Sequence, residues 1–254
     1  MTKLSRKYLL TLEKNCLDFS SADVRVKQLS FYCDGKEEKC ALAVASLKEF
    51  CVDDSRDQLS DIELKKLSSL SSEIRKKEYA LGRITTKKAL NLLAGGDLKF
   101  QEISVTNEKS GRPIIENFDY STSITHTNET VASLVFKKEF SFGIDIEKLR
   151  PKSIEALKSA TFDKERVSSD LTSLTAAWTL KESLSKALNC GFSRPFEEFE
   201  LSQFNQKEDS FLCSYAKHRK FKGVAKNCGE NFCAIAYPAH INFNESQINF
   251  LESA

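Results

Sequence analysis

Residues 140–147, FSFGIDIE, have the two-residue alternation of a β-strand. The four apolar side chains would lie on one face of this strand, and Gly143, Asp145 and Glu147 on the other. Two carboxylates on one face are roughly 6–7 Å apart along the chain, and they repel each other unless a cation or solvent relieves the charge. Oxygen ligands are those that Mg²⁺ prefers, so the pair is a candidate magnesium site. On this strand alone the exposed polar face of an edge strand is the favoured interpretation, although Gly143 leaves room for a ligand.

A second polar row lies further along the chain, in the helical stretch 174–190 (LTAAWTLKESLSKALNC). Apolar residues recur there at helical spacing and predict a side that faces a core. Trp178, Glu182 and Lys186 follow one another at four-residue intervals on nearly the opposite side. A Glu four residues before a Lys is commonly a solvated pair, but the only Trp of the chain in the same row indicates a face that contacts something. Glu182 is therefore a candidate third carboxylate for the cation, with Lys181 and Lys186 near a phosphate.

A basic helix is predicted over 74–93, with a start at 71–73 (SSE) and an end at the glycines 95–96. Lys77 and Arg83 are among its many cationic residues, in a chain that is nearly neutral overall. Such a cluster binds phosphates through charge-assisted hydrogen bonds, although most charge runs are solvated faces. Gly82 inside the helix predicts a close approach by a ligand or by a neighbouring backbone.

His126 lies in 123–127 (SITHT), with a threonine on either side. A histidine flanked by hydroxyls is able to bind a phosphate. A single histidine is more often a hydrogen-bonded structural residue, and on this motif alone that interpretation is favoured.

The order of predicted elements occurs twice along the chain. In 40–136 a short apolar strand is followed by helices and by a final apolar strand, and a similar order follows in 140–237. The pattern favours two similar halves related by duplication, although apolar strands resemble one another in unrelated proteins. Residues 99–105 (KFQEISV) alternate and are predicted to form a strand of the first set.

Composition narrows the class of protein. The chain has 254 residues, and its 38 basic and 36 acidic side chains leave a net charge of +2. Nucleic-acid binding needs clustered excess charge, so none is expected and any anion site must be local. No pair among the eight cysteines has C-x2-C spacing, which favours reduced thiols in a cytoplasmic protein. The first residues hold only a very short apolar run, so no signal peptide is expected, and no apolar stretch approaches the ~20 residues that cross a membrane.

Taken together and in this order, the motifs resemble the 4'-phosphopantetheinyl transferases of the surfactin-synthetase-activating type, with features of the siderophore-pathway members. The matching stretches are YALGRITTKKAL (79–90), SGRPII (110–115), SITHT (123–127), FGIDIEKLRP (142–151) and WTLKESLSKAL (178–188). Each motif is weak alone. An acidic strand pair followed by a Trp-x-x-Lys-Glu helix is much more specific.

The resemblance implies a role for each motif. Asp145, Glu147 and Glu182 match the magnesium ligands of the family. Glu182 also matches the base proposed for the substrate serine, and Lys186 matches the lysine that contacts the pyrophosphate of coenzyme A, with Lys181 nearby. The residues assigned to the nucleotide are Lys77, Arg83, Thr125 and His126 around the 3'-phosphate, and Gly111, Arg112 and Pro113 beside the adenine.

The resemblance also implies a fold and an activity. The fold is an α/β (α+β) pseudo-dimer of two similar halves, 1–138 and 139–254, with the active site in the cleft between them. The activity is the Mg²⁺-dependent transfer of 4'-phosphopantetheine from coenzyme A to a serine of an apo acyl or peptidyl carrier protein, with release of 3',5'-phosphoadenosine. Fatty-acid, polyketide, nonribosomal-peptide and siderophore pathways all stay open. An internal duplication makes a monomer the expected state.

Other classes of protein compete with this interpretation. A non-catalytic carrier-protein or coenzyme A-binding module of the same fold would typically have lost a carboxylate or the lysine, and all are present here. A different magnesium-dependent enzyme, such as a hydrolase of nucleotide diphosphates, is disfavoured by the Trp-x-x-Lys-Glu helix. An α/β domain with a merely charged surface would require all the motifs to coincide in order. One departure from the family is Ile74 at a nucleotide-site lysine, so Lys77 or Arg75 must supply that charge.

Overall fold

The computed structural model describes residues 23–161, 165, 167–244 and 247. Residues 1–22, where the prediction of no signal peptide falls, lie outside the described residues. Twelve described strands form two sheets, one with seven strands and one with five, and every described pairing is antiparallel. No helix within the described part of the chain is both long enough and apolar enough to cross a bilayer.

The first half of the chain builds the seven-stranded sheet and a long helix. Its elements are β1 (Arg25–Cys33), β2 (Lys36–Ser46), α1 (Asp61–Ser68), α2 (Glu73–Leu93), β3 (Val105–Asn107), β4 (Pro113–Ile115), β5 (Tyr120–His126) and β6 (Thr130–Lys137).

The second half builds the five-stranded sheet and a second long helix. Its elements are β7 (Gly143–Lys148), α3 (Ile154–Ser159), α4 (Leu171–Ala187), β8 (Leu201–Lys207), β9 (Ser210–Tyr215), β10 (Phe221–Cys228), β11 (Asn231–Pro238) and β12 (Asn242–Phe243).

The two sheets have the same topology. The order β2-β6-β5-β4-β3 in the first sheet corresponds to β7-β11-β10-β9-β8 in the second, with each strand at the same place in the chain order. The long helices correspond as well, since α2 packs on β2 and β6 while α4 packs on β7 and β11. The predicted α/β fold with two similar halves is confirmed. A division at residue 138 stays a prediction, because β12 returns to pair with β1 at the edge of the first sheet.

A shared apolar core lies between the sheets. Side chains of the first sheet such as Leu42 and Leu134 pack with Ile144 and Ile235 of the second sheet and with Phe142, which directly precedes β7, and all five are almost fully buried. The opposite face of each sheet is covered by its long helix. Strand β2 is therefore apolar on both faces over Cys40–Ala45, because neither face meets water.

The predicted basic helix is confirmed as α2, and its ends have the expected causes. The Ser72 side chain accepts a hydrogen bond from Arg75 N at the first turn. After Leu93 the chain leaves the helix through Gly95 and Gly96, which have φ of 90° and 96°. These positive values favour glycine.

The strand predicted over 99–105 is wrong. Residues Phe100–Glu102 form a short 3-10 helix, and β3 begins only at Val105. The buried ammonium of Lys87 explains the missing strand, because it donates a hydrogen bond to the Phe100 carbonyl oxygen at 2.9 Å and holds the segment away from the sheet. Alternation in the sequence carries no information about such a long-range contact.

Two glycines allow close packing rather than ligand binding. A Cβ at Gly143 would lie 2.0 Å from Ser183 O and 2.5 Å from Ala187 N, so the space beside this strand is filled by the backbone of α4. The interpretation that Gly143 leaves room for a ligand is therefore wrong. At Gly82 the close neighbour is the Ile124 side chain, 3.2 Å from an added Cβ, rather than a ligand or another backbone.

Candidate active site

Three carboxylates converge where β7 and α4 face each other. Asp145 and Glu147 lie on β7 and Glu182 lies on α4, and one carboxylate oxygen of each falls within 4.8 Å of the others. In the described part of the chain this is the only group of three or more potential metal-ligating side chains. The two elements meet at this distance because the missing side chain of Gly143 lets α4 approach the strand.

Asp145 is held by two hydrogen bonds to a single oxygen. Thr125 Oγ1 donates to Asp145 Oδ1 at 2.8 Å, and Lys186 Nζ donates to the same atom at 2.7 Å. The other oxygen, Oδ2, is buried and has no hydrogen-bond partner among the described residues. A buried carboxylate oxygen without a partner is costly. This atom therefore fits a site that takes a cation.

Glu147 is oriented by the only tryptophan. Trp178 Nε1 donates to Glu147 Oε1 at 3.2 Å, and the indole stacks on Phe196 with ring centroids 5.5 Å apart. Burial raises the pKa of the Glu147 carboxyl, the charge of Asp145 raises it further, and the bond from Trp178 opposes them. The face of α4 that carries Trp178, Glu182 and Lys186 therefore points at the two carboxylates of β7.

Glu182 has the most perturbed carboxyl of the cluster. Burial raises the pKa of Glu182 to about 7, with a further contribution from the charge of Asp145. Lys186 lowers this pKa and Glu147 raises it. Three partly dehydrated carboxylates that repel one another match the oxygen ligands that a hard divalent cation takes.

Lys186 brings a positive charge to the edge of the cluster. Its ammonium is bonded to Asp145, yet the side chain keeps 28% of its exposure and is open to a ligand from solvent. An ammonium with three donors can hold a carboxylate and a phosphate oxygen together.

Lys181 is placed elsewhere, and the expectation that it lies near a phosphate needs correction. Its side chain is 1% exposed, and its ammonium pairs with Glu165 at 2.8 Å and donates to Ala160 O at 2.8 Å. One residue along a helix turns the side chain by about 100°, the angle of a 3.6-residue turn. Lys181 therefore points into the interior while Glu182 points at the cluster.

Arg83, which was predicted to contact the nucleotide, is largely buried. It donates to Val105 O at 3.2 Å and to the Asn107 side chain, and its guanidinium lies over the Tyr79 ring. Asn107 in turn donates to Gly111 O at 2.6 Å. Arg83 is thus linked to the turn at 110–113 through one side chain.

Except for Thr125, the remaining predicted residues are exposed or half-buried. His126 is exposed, with Nδ1 3.3 Å from Glu78 Oε1, and Lys77 on α2 is half-buried. Gly111 has φ of 90° in a turn closed by Glu108 N donating to Arg112 O. Pro113 begins β4. Thr125 is buried, and its hydroxyl is engaged with Asp145. The contacts of Thr125 and Glu165, and the bond from Arg83 to Asn107, have no local signal in the sequence, because they join residues that are distant along the chain.

Comparison with known proteins identifies the class. A family model described as the 4'-phosphopantetheinyl transferase superfamily matches residues 141–236. A holo-[acyl-carrier-protein] synthase of Staphylococcus carnosus is 42% identical over 83 residues, which is 30% of this chain and 71% of that protein. A holo-[acyl-carrier-protein] synthase of Bacillus velezensis is 35% identical over 82 residues, 29% of this chain and 68% of that protein.

A solved holo-(acyl-carrier-protein) synthase from Bacillus anthracis, in complex with CoA (3',5'-ADP), covers 42% of this chain and 96% of its own. It is 20% identical to this chain, with a TM-score of 0.35. The sequence relatives decide the matter: the chain belongs to the 4'-phosphopantetheinyl transferase superfamily. The resemblance inferred from the motifs is confirmed at this level, as is the expectation of an enzyme of this class.

Proposed function

We propose that the protein transfers the 4'-phosphopantetheine arm of coenzyme A to a serine of an apo acyl or peptidyl carrier protein, with Mg²⁺ as cofactor. The observation that carries the proposal is Asp145 Oδ2, which is buried without a hydrogen-bond partner among the described residues. This oxygen belongs to the same cluster as Glu147 and Glu182. The names of the two bacterial relatives support a reaction on a carrier protein.

Asp145, Glu147 and Glu182 are the proposed ligands of the cation. Their mutual repulsion, their oxygen donors and the raised pKa values of Glu147 and Glu182 support Mg²⁺ over softer metals. When bound, Mg²⁺ would neutralise the negative charge that collects on the pyrophosphate oxygens during transfer.

Glu182 and Lys186 are the proposed catalytic residues. The serine oxygen of the carrier forms a bond to the β-phosphorus of coenzyme A, and the bond from that phosphorus to the bridging oxygen breaks, so that 3',5'-phosphoadenosine leaves. Glu182 is the carboxylate proposed to take the serine proton as the general base. Lys186 adds positive charge beside the departing pyrophosphate oxygen.

The nucleotide part of coenzyme A is assigned to the first half. We propose that Lys77, Arg83 and His126 surround its phosphate, with the turn Gly111, Arg112 and Pro113 against the adenine. The link from Arg83 through Asn107 to Gly111 supports one connected binding surface. Lys181 is left out of this set because its ammonium is paired inside the protein.

We further propose that 1–138 and 139–254 act as one monomeric unit in the cytoplasm. Thr125 of the first part contacts Asp145 of the second, so a single chain supplies both sides of the site. The seven cysteines that the structure describes are free thiols, as in proteins of reducing compartments.

Intact-protein mass spectrometry of an apo carrier protein tests the proposal. The carrier is incubated with the protein, coenzyme A and Mg²⁺, and it is expected to gain the mass of one phosphopantetheine arm, with no gain in EDTA. Glu182→Gln should lose the gain, whereas Glu155→Gln on an exposed face of α3 should keep it. No gain on several unrelated carriers, with coenzyme A still bound in calorimetry, would favour a non-catalytic module.

A further inference from the structure

Two hydroxyl groups join the halves at the edge of β7. Ile144 N donates to Ser123 Oγ at 3.1 Å, and Ile146 N donates to Thr125 Oγ1 at 3.2 Å. Ser123 and Thr125 lie on the same face of β5 because they are two residues apart. They satisfy edge N–H groups of the second sheet that would otherwise lack an acceptor.

Thr125 differs from Ser123 in one contact. Its hydroxyl also donates to Asp145 Oδ1 at 2.8 Å, whereas Ser123 has no hydrogen bond to the carboxylate cluster among the described residues. A hydroxyl has one proton. Since that proton goes to Asp145, the bond from Ile146 N and the bond to Asp145 fix the direction of the hydroxyl together.

The two carboxylate oxygens of Asp145 therefore differ in their hydrogen-bond partners. Oδ1 receives Thr125 and Lys186, and Oδ2 is left buried with no hydrogen-bond partner in the described part of the chain. The Lys186 side chain is long, flexible and partly exposed, whereas Thr125 lies on a strand and is 3% exposed. Thr125 is therefore the more rigid of the two groups that set the orientation of this carboxylate.

We propose that Thr125 is a positioning residue of the cation site. It holds Asp145 through Oδ1, so that Oδ2 would be left to bind the cation, and it links that orientation to the first half of the chain through β5. This inference rests on the proposed function, since it concerns the proposed Mg²⁺ ligand. It also replaces the nucleotide contact expected for Thr125, whose hydroxyl is already engaged on both sides.

Calorimetric titration of Mg²⁺ into the full chain, without coenzyme A or carrier, tests the proposal. Thr125→Ala should weaken binding about 10-fold or more, the usual effect of losing a partner of a metal ligand. Ser123→Ala is the matched control, because it removes the same kind of bond to β7 and leaves Asp145 untouched. It should bind as the wild type does, and Thr125→Ser should restore most of the affinity. Thr125→Val keeps the side-chain volume and replaces the alanine variant if that variant is poorly folded.

Equal weakening in Thr125→Ala and Ser123→Ala would overturn the proposal, because it would indicate a general loosening between the sheets. Unchanged affinity in Thr125→Ala would overturn it as well. If the wild type binds no Mg²⁺, the proposed function fails, and this inference fails with it.

A measurement without metal separates failure of the positioning contact from failure of the proposed function. In urea unfolding with EDTA, Thr125→Ala and Asp145→Ala should show a non-additive double-mutant cycle, because their side chains are hydrogen-bonded. Ser123→Ala and Asp145→Ala should be additive. Additivity in both cycles would refute the positioning contact, whatever the metal does.

Discussion

Lys181 and Glu165 form a buried ion pair with Nζ 2.8 Å from Oε1 and with side-chain exposures of 1% and 0%. Glu165 also accepts a hydrogen bond from Leu201 N at the start of β8. The first half has a corresponding buried ion pair. Lys87 pairs with Glu63, and Glu63 accepts a hydrogen bond from Val105 N at the start of β3. Since β3 and β8 are corresponding strands, the two pairs are related by the internal repeat.

Loss of one member of such a pair should be strongly destabilising. Lys181→Met leaves Glu165 buried and uncompensated, and a broken buried pair costs about 3–5 kcal/mol of unfolding free energy. Urea denaturation measures this. Lys158→Met is the control, because its pair with Glu155 is exposed and is worth less than about 1 kcal/mol. A Lys181→Met protein of normal stability that had lost coenzyme A binding would restore the phosphate role.

Glu182→Gln should separate activity from stability. We expect kcat for carrier modification to fall by about 10²–10⁴-fold, the usual contribution of a general base. The metal-free protein should melt at the same or a higher temperature, because the neutral amide no longer repels Asp145. Thermal melting in EDTA beside the transfer assay measures both. A lower melting temperature with partial activity would mean that Glu182 is mainly structural.

The stability of the metal-free protein should depend on pH through Glu182. Its folded pKa of about 7 lies above the ordinary value of 4.5, so the folded state binds more protons than the unfolded state in this range. This group therefore lowers the free energy of unfolding as the pH rises from 4.5 to about 7, and no further above that. The raised pKa of Glu147 likewise lowers the free energy of unfolding as the pH rises.

Mg²⁺ should offset this loss. The increase in melting temperature caused by Mg²⁺ is expected to be larger at pH 8 than at pH 5.5, because protons compete with Mg²⁺ for the carboxylates at the lower pH. An increase independent of pH would argue against binding at these carboxylates.

Gly143→Ala should damage the site through packing. The added Cβ would lie 2.0 Å from the backbone of α4, and backbone atoms cannot move away through a change of rotamer as a side chain can. We expect a loss of about 1–3 kcal/mol of unfolding free energy or more, together with weaker Mg²⁺ binding. Gly82→Ala is the contrasting variant, because its neighbour is a side chain and alanine gains about 1 kcal/mol of helix propensity. Equal effects on melting would contradict the packing argument.

Trp178 should report on the cluster by fluorescence. It is the only tryptophan in the chain, and its indole N–H is bonded to Glu147. Mg²⁺ should change its emission in the wild type and not in Asp145→Ala. An identical response in both proteins would place the cation elsewhere.

The sequence alone determined the local elements and the types of residue in the site. The alternation in FSFGIDIE and the helical spacing of Trp178, Glu182 and Lys186 depend on neighbours in the chain. The helix is confirmed, and the strand is confirmed from Gly143 onward, because β7 does not include residues 140–142. The repeated order of elements was visible for the same reason. These features follow from backbone periodicity, which is a local property.

Only the tertiary structure decided which side chains meet. It placed Lys181 in an ion pair with Glu165, filled the space at Gly143 with α4, and directed the Thr125 hydroxyl to Asp145. It also replaced the strand expected at 99–105 with a 3-10 turn, because Lys87 binds a carbonyl there. Each of these contacts joins residues far apart in the chain, so burial and long-range hydrogen bonding, rather than local periodicity, determine them.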